Sequence, residues 1–141
     1  MILKRVLIAY CLFLTTLTSA QDYGKLIVEV DGITSYKGYV DIAIYKNSKG
    51  FPSKNKFAYK RFRIKTIELK NASFTTQLPF GTYAIAIYQD ANGNKKLDTN
   101  FFGIPKEKTG VSNNSNSNSL PSFYDAKLEV LAKKTIHINL H

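Results

Sequence analysis

The sequence is short of the residues on which most compact-site chemistry depends. Its 141 residues include one cysteine, one methionine, two histidines and no tryptophan. A single cysteine excludes a disulfide framework, a Cys-X-X-Cys redox pair and thiolate zinc sites. The histidines, His137 and His141, do not form a metal-hydrolase pair, and no Ser nucleophile elbow is present. Past residue 20, no apolar run approaches the roughly 20 residues needed to span a bilayer. Acidic residues are also few: 10 Asp and Glu stand against 20 Lys and Arg, a formal charge of +10. With 44% hydrophobic residues the composition is that of a folded chain rather than a disordered one. Its length is that of one domain.

The first twenty residues follow a different logic. Lys4 and Arg5 precede an apolar run from Val6 to Leu14, and Thr15 to Ala20 is rich in small residues. This order predicts a secretory signal peptide over 1–20, cleaved before Gln21. The alternative, an uncleaved membrane anchor, is disfavoured by the short apolar run. Bulky Tyr10 before Cys11, and the apolar residues after it, disfavour a lipoprotein. Cleavage would leave residues 21–141 as a single cysteine-free domain, secreted or periplasmic, with 18 basic and 10 acidic residues. A soluble product of about 120 residues buries roughly two-thirds of its unfolded surface, enough for a two-layer core.

Within that domain the hydrophobic pattern has period two. Leu26, Val28 and Val30 alternate with Ile27 and Glu29; Val40, Ile42 and Ile44 with Asp41 and Ala43; Phe62, Ile64 and Thr66 with Arg63 and Lys65. The pattern resumes at Phe74 to Leu78, at Tyr83 to Ile87, at Ala126 to Val130 and at Ile136 to Leu140. Each run predicts a strand with one buried face. Turn signals such as Asp31-Gly32 and Pro79-Phe80-Gly81 fall between them. The expected fold is therefore all-β, a seven-stranded antiparallel sandwich of immunoglobulin or prealbumin type, without the Cys–Trp–Cys signature of antibody domains.

One long insertion, 90–122, interrupts the spacing, far beyond the median connection of about 4–6 residues. It opens with Asp90-Ala91-Asn92-Gly93-Asn94-Lys95-Lys96-Leu97-Asp98. Alternate oxygen-bearing side chains, with a backbone carbonyl near Lys96, are the device by which loops wrap calcium, which requires six to eight oxygens. Asp90, Asn92, Asn94, Lys96 and Asp98 are the expected ligands, Leu97 the anchor, and Glu107 and Asp125 the nearby carboxylates available to complete the shell. The loop departs from the EF-hand: Lys95 replaces the turn glycine, and Phe101 replaces the closing glutamate. The alternative is a polar turn whose Asp and Asn side chains bond the local backbone.

The stretch Gly81 to Glu107, with Ser112-Asn113-Asn114, Pro121-Ser122-Phe123 and Asp125-Ala126 beyond it, resembles a family of secreted bacterial proteins of unknown function, DUF2141. The resemblance implies export and a sandwich fold, and no activity. Gln89-Asp90-Ala91-Asn92 stands where the family often has His-Asp-Glu-Asn; the acidic residue lost at Ala91 is at an outward position, so the expected inward ligands are kept. Leu78-Pro79-Phe80-Gly81-Thr82-Tyr83 is similar to a turn and strand of prealbumin-like modules, some of which carry Asp/Asn-rich calcium loops. That likeness implies a structural or binding role.

The insertion's second half, Ser112 to Ser119, is Ser and Asn throughout and is expected to be a mobile linker. Lys46 to Lys65 is uniformly basic, with Lys60, Arg61, Arg63 and Lys65 as candidate contacts for an anionic cell-envelope polymer. The same stretch also reads as a solvated face with its aromatics turned inward. No module for specific nucleic-acid reading is recognisable. Catalysis is not expected, and Asp90 and Asp98, set among asparagines, suit a divalent cation better than glycosidase chemistry. The sequence thus predicts an exported non-catalytic module with a calcium loop, or a cation-independent module that binds anionic polymers through its basic face.

Overall fold

The computed structural model describes residues 21–69, 73–115 and 120–141. The expected signal peptide and residues 116–119 of the Ser/Asn tract lie outside them. Eight strands are present among the described residues: β1 Tyr23–Asp31, β2 Tyr39–Tyr45, β3 Lys60–Lys65, β4 Ser73–Pro79, β5 Gly81–Asp90, β6 Thr109–Val111, β7 Leu128–Val130 and β8 Lys133–Asn139. They form two sheets, ordered β4-β1-β8 and β3-β2-β5-β6, with β7 also paired to β5. Alternate residues of both sheets meet in one core that includes Leu26, Val28, Ile42, Ile85, Ile87 and Ile138. Each such side chain contributes roughly 1.5–3 kcal/mol on burial, so this core is the main stabilising term. The hydroxyl of Tyr83 donates to the Pro79 carbonyl at 2.7 Å and pins the Pro79-Phe80-Gly81 turn.

Three expectations need correction. The strands number eight, because β6 lies inside the insertion, where three residues are too few to show alternation. The pairing is not wholly antiparallel: β8 runs parallel to β1, from Lys25 opposite Lys133 to Asp31 opposite Asn139. The run expected as a strand from Ala126 begins later, since Ser122 caps a helical turn, α1 (Phe123–Ala126), by accepting the Asp125 amide.

The strands β2 and β5 are also buried on both faces. The outer face of the large sheet carries a second cluster of Ala43, Tyr45, Ala84, Ala86, Val111 and Phe123. Phe51 from the β2–β3 connection and Phe123 of α1 pack over it, their rings 6.0 Å apart, while the insertion extends the sheet: β6 pairs with β5, and Ser112, fully buried, accepts the Ile85 amide and donates to the Ala126 carbonyl. Asn113 bonds the carbonyls of Asp125 and Lys127, and Asn114 bonds β8 at His137 and Asn139. The start of the expected linker is thus fastened at each residue. No helix among the described residues is long and apolar enough to cross a membrane.

Candidate functional site

Strand register assembles the charged groups on the outer face of the large sheet. Arg63 on β3 lies opposite Asp41 on β2, and Tyr39 on β2 lies opposite Asp90 at the end of β5. Residues two apart share a face, so one guanidinium can reach both carboxylates. Arg63 Nη1 bonds Asp41 Oδ2, Nη2 bonds Asp90 Oδ2 at 2.6 Å, and the guanidinium carbon sits 4.1 Å from the Tyr39 ring centre. Asp90 is fully buried, while 23% of the Arg63 side chain is exposed. An unpaired carboxylate there would carry a desolvation penalty of several kcal/mol, which the planar fork of arginine offsets.

The two carboxylates respond differently to that burial. Desolvation pushes Asp41 above its ordinary value and outweighs the hydrogen bond and charge of Arg63. The same desolvation acts on Asp90, but Arg63 and the backbone N–H groups of Lys95 and Gly93 overcome it and hold Asp90 below the usual range.

Those backbone donors come from the loop itself. Asp90 Oδ1 accepts from the amides of Gly93 at 2.8 Å and Asn94 at 3.1 Å, and Oδ2 accepts from Lys95 at 2.8 Å. The chain curls this tightly because Gly93 and Lys95 both adopt positive φ. Asn92 Oδ1 accepts the Asn94 amide and Asn94 Oδ1 accepts the Lys96 amide, each at 2.9 Å. Both side-chain amides then donate to Asp98: Asn92 Nδ2 at 2.6 Å to Oδ2, and Asn94 Nδ2 at 2.9 and 3.0 Å to the two oxygens. Glu107 closes the loop from behind, accepting from Ala91 and Asp98, both at 3.2 Å. Burial pushes Glu107 up, and the charges of Asp90 and Asp98 push the same way.

The structure therefore gathers Asn92, Asn94, Asp98 and Glu107 into one polar cluster, with Asp90 as its organiser. Lys96 lies within the loop, and Leu97 is half-buried beneath it. Asp125 is elsewhere, in α1, where its carboxylate takes the Ser122 hydroxyl at 2.5 Å. Among the described residues, no three His, Cys, Asp or Glu side chains are grouped to hold a metal ion. A cation here would therefore need amide and backbone oxygens as well. Asp98 and Glu107, unlike Asp90, have no basic side chain within ion-pair distance among the described residues.

The basic residues divide in the same way. Lys60 bonds Thr76 Oγ1 and the Gln77 carbonyl, so it bridges to the small sheet. Arg63 is held by its two carboxylates. Arg61 and Lys65 are exposed, and Arg61 and Lys95 line a shallow cavity of about 190 Å³ beside Asp41. Sequence reasoning missed Asp41, although an acidic residue at an outward strand position opposite a basic strand was its available signal.

These features, from the paired strands to the Asp/Asn loop, coincide with one family match. The sequence profile described as "Uncharacterized protein conserved in bacteria (DUF2141)" matches residues 28–139. The chain belongs to DUF2141. No curated protein and no solved structure matches it. The DUF2141 match runs from within β1 to the last residue of β8, so it takes in the insertion together with both sheets. In DUF2141 terms the loop and its cluster are part of the domain itself. Nothing in the family description indicates catalysis.

Proposed function

We propose that this DUF2141 chain is an exported, non-catalytic β-sandwich module of prealbumin type whose loop, residues 90–98, takes up a calcium ion. The observation that carries the cation reading is the convergence of Asn92 and Asn94 on Asp98, with Glu107 adjoining, in a cluster holding two carboxylates without ion-pair partners among the described residues. A hard divalent cation would relieve the repulsion between them, using carboxylate and backbone oxygens together with the amide oxygens of Asn92 and Asn94, which would turn from the Asn94 and Lys96 N–H groups they bond in the free loop. The prealbumin assignment is supported by strand order: an immunoglobulin sandwich keeps its first two strands in one sheet, whereas β1 and β2 lie in opposite sheets here. Export is the reading of residues 1–20.

Melting in millimolar calcium against chelator tests the loop. Binding to the folded state alone raises stability by RT ln(1 + [L]/Kd), about 2.7 kcal/mol at a hundredfold excess over Kd. The expected result is a calcium-dependent rise in Tm that Asp98→Asn abolishes, and an unchanged Tm ends the calcium reading.

A second reading rests on the exposed Arg61, Lys65 and Lys95 flanking the ion-paired row. Through them the module would hold an anionic envelope polymer without a cation. Salt-sensitive retention on lipopolysaccharide, lost in an Arg61→Ala/Lys65→Ala double variant, is its expected signature.

A further inference from the structure

The insertion does more than extend the large sheet; it also walls a cleft. Asn100 organises the wall. Its Oδ1 accepts the amides of Phe102 at 2.9 Å and Ile104 at 3.0 Å, its own N–H donates to the Ile104 carbonyl at 2.8 Å, and Gly103 N–H returns to its carbonyl at 3.0 Å. Thr99 bridges to Pro105, and Lys106 N–H bonds the Asp98 carbonyl, so the arm is fixed to the loop base. This rigid arm leaves Phe101 97%, Phe102 83% and Ile104 59% exposed. Apolar side chains so displayed on a hydrogen-bonded arm form a patch of the kind that marks a binding surface.

Between the arm and the opposite wall lies a cleft of about 980 Å³. Ala86 and Val111 of the sheet form its floor, and Leu97, Phe102, Ile104 and Leu120 its sides. That volume is at the upper end of the 300–1,000 Å³ typical of small-molecule sites, which are concave, largely apolar and preformed. Two of the polar residues along the cleft are already engaged: Asn114 bonds β8 through both its oxygen and nitrogen, and Glu107 bonds the loop backbone with both oxygens. Asn55, Tyr88, Thr109, Asn139 and His141 also line the cleft, so its surface is apolar in the majority, with polar groups along it that can meet a ligand's polar end.

From this we infer that the cleft binds one hydrocarbon chain of fatty-acyl type, its tail on Ala86 and Val111 and its polar end toward solvent. A flat apolar face would suit a protein partner. A volume within the small-molecule range, beside an arm held by its own hydrogen bonds, suits a small molecule instead. The site adjoins the calcium cluster through Glu107, but none of the apolar contacts named for it requires a cation.

The probe is cis-parinaric acid, titrated into the purified protein and followed by fluorescence. Expected is saturable binding at one site per chain, weakened about tenfold or more by Ile104→Asp, which places a charge against the chain. Ile104 is exposed, so that variant keeps the wild-type melting temperature. Ala86→Leu, which fills the floor, gives the same loss of binding. Non-saturable fluorescence, or undiminished affinity in Ile104→Asp, overturns the proposal. So does a concentration-dependent dimer, seen by sedimentation, that Ile104→Asp dissociates while the monomer binds no probe.

Discussion

Arg63 and Asp90 stand 27 residues apart in sequence and 2.6 Å apart in space, joined across three adjacent strands. The bond ties the edge strand β3 to the start of the Asp/Asn loop, so it links the sheet to the candidate cation cluster. Removing its cation leaves a fully buried carboxylate beside a second buried one, Asp41. Complete loss of a partner from a buried pair costs about 3–5 kcal/mol. Because Arg63 is 23% exposed and Asp90 keeps three backbone donors, Arg63→Ala is expected to cost about 2–3 kcal/mol. Arg63→Lys should recover little, since an ammonium lacks the fork needed to serve both carboxylates. The shift in urea midpoint measures it, and a loss under about 0.5 kcal/mol would mean the pair behaves as a solvated one.

The same pair sets the acid limb of stability. Asp90 is held below 3.8 when folded, so its contribution is present above the unfolded value and disappears as pH falls through the folded one. Asp41 and Glu107 are raised above 3.8 and 4.5, which gives them the opposite sign. Their contribution is complete below those values and fades as pH climbs through the raised ones. Stability should thus hold level or rise on acidification from neutral to about pH 4, then drop below it. Urea midpoints across this range, compared with Asp90→Asn, read the effect. The variant should lack the steep acid limb, and a wild-type decline already under way above about pH 5 contradicts the assignment.

The strands were legible because alternation is local: a half-buried strand shows its face whatever its partner. What depends on partners was not. The parallel neighbour of β1 is fixed by contacts a hundred residues distant in the chain, and β6 has too few residues to alternate. The covering of the large sheet did leave a trace, in Ala43, Ala84 and Ala86 at outward positions where polar residues were expected. In the loop, spacing alone was enough to associate Asn92, Asn94 and Asp98, since all lie within one curl of the chain. That Asp90 faces Arg63 is a consequence of register, and register becomes visible only once β2 is known to lie between β3 and β5.

Ser112 tests whether the insertion is structural. Its buried hydroxyl accepts the Ile85 amide at 2.9 Å and donates to the Ala126 carbonyl at 2.5 Å, joining β5 to the end of α1. Ser112→Ala leaves the Ile85 N–H buried without that acceptor, at an expected cost of about 1–3 kcal/mol. Amide exchange of Ile85 should accelerate with it. An unchanged Tm would show that the second half of the insertion can detach without consequence for the sheet.

Two glycines separate backbone strain from collision near the candidate cluster. Gly38 and Gly103 have nearly the same positive φ, 76° and 79°. A Cβ at Gly103 meets nothing within 4 Å, whereas one at Gly38 would come within 2.1 Å of the Asp90 carbonyl oxygen and 2.8 Å of the Ala91 backbone. Gly103→Ala therefore carries only the conformational penalty, about 1–2 kcal/mol, and that penalty falls on an exposed tip. Gly38→Ala adds a clash with main chain that cannot rotate away, which must push the end of β5 from β2. Its expected loss exceeds that of Gly103→Ala by at least about 2 kcal/mol, in the upper range for single substitutions. Because Asp90 moves with β5, Gly38→Ala should also weaken any calcium-dependent rise in Tm. Equal melting temperatures for the two variants would mean that the approach of Gly38 to Asp90 is not maintained in solution.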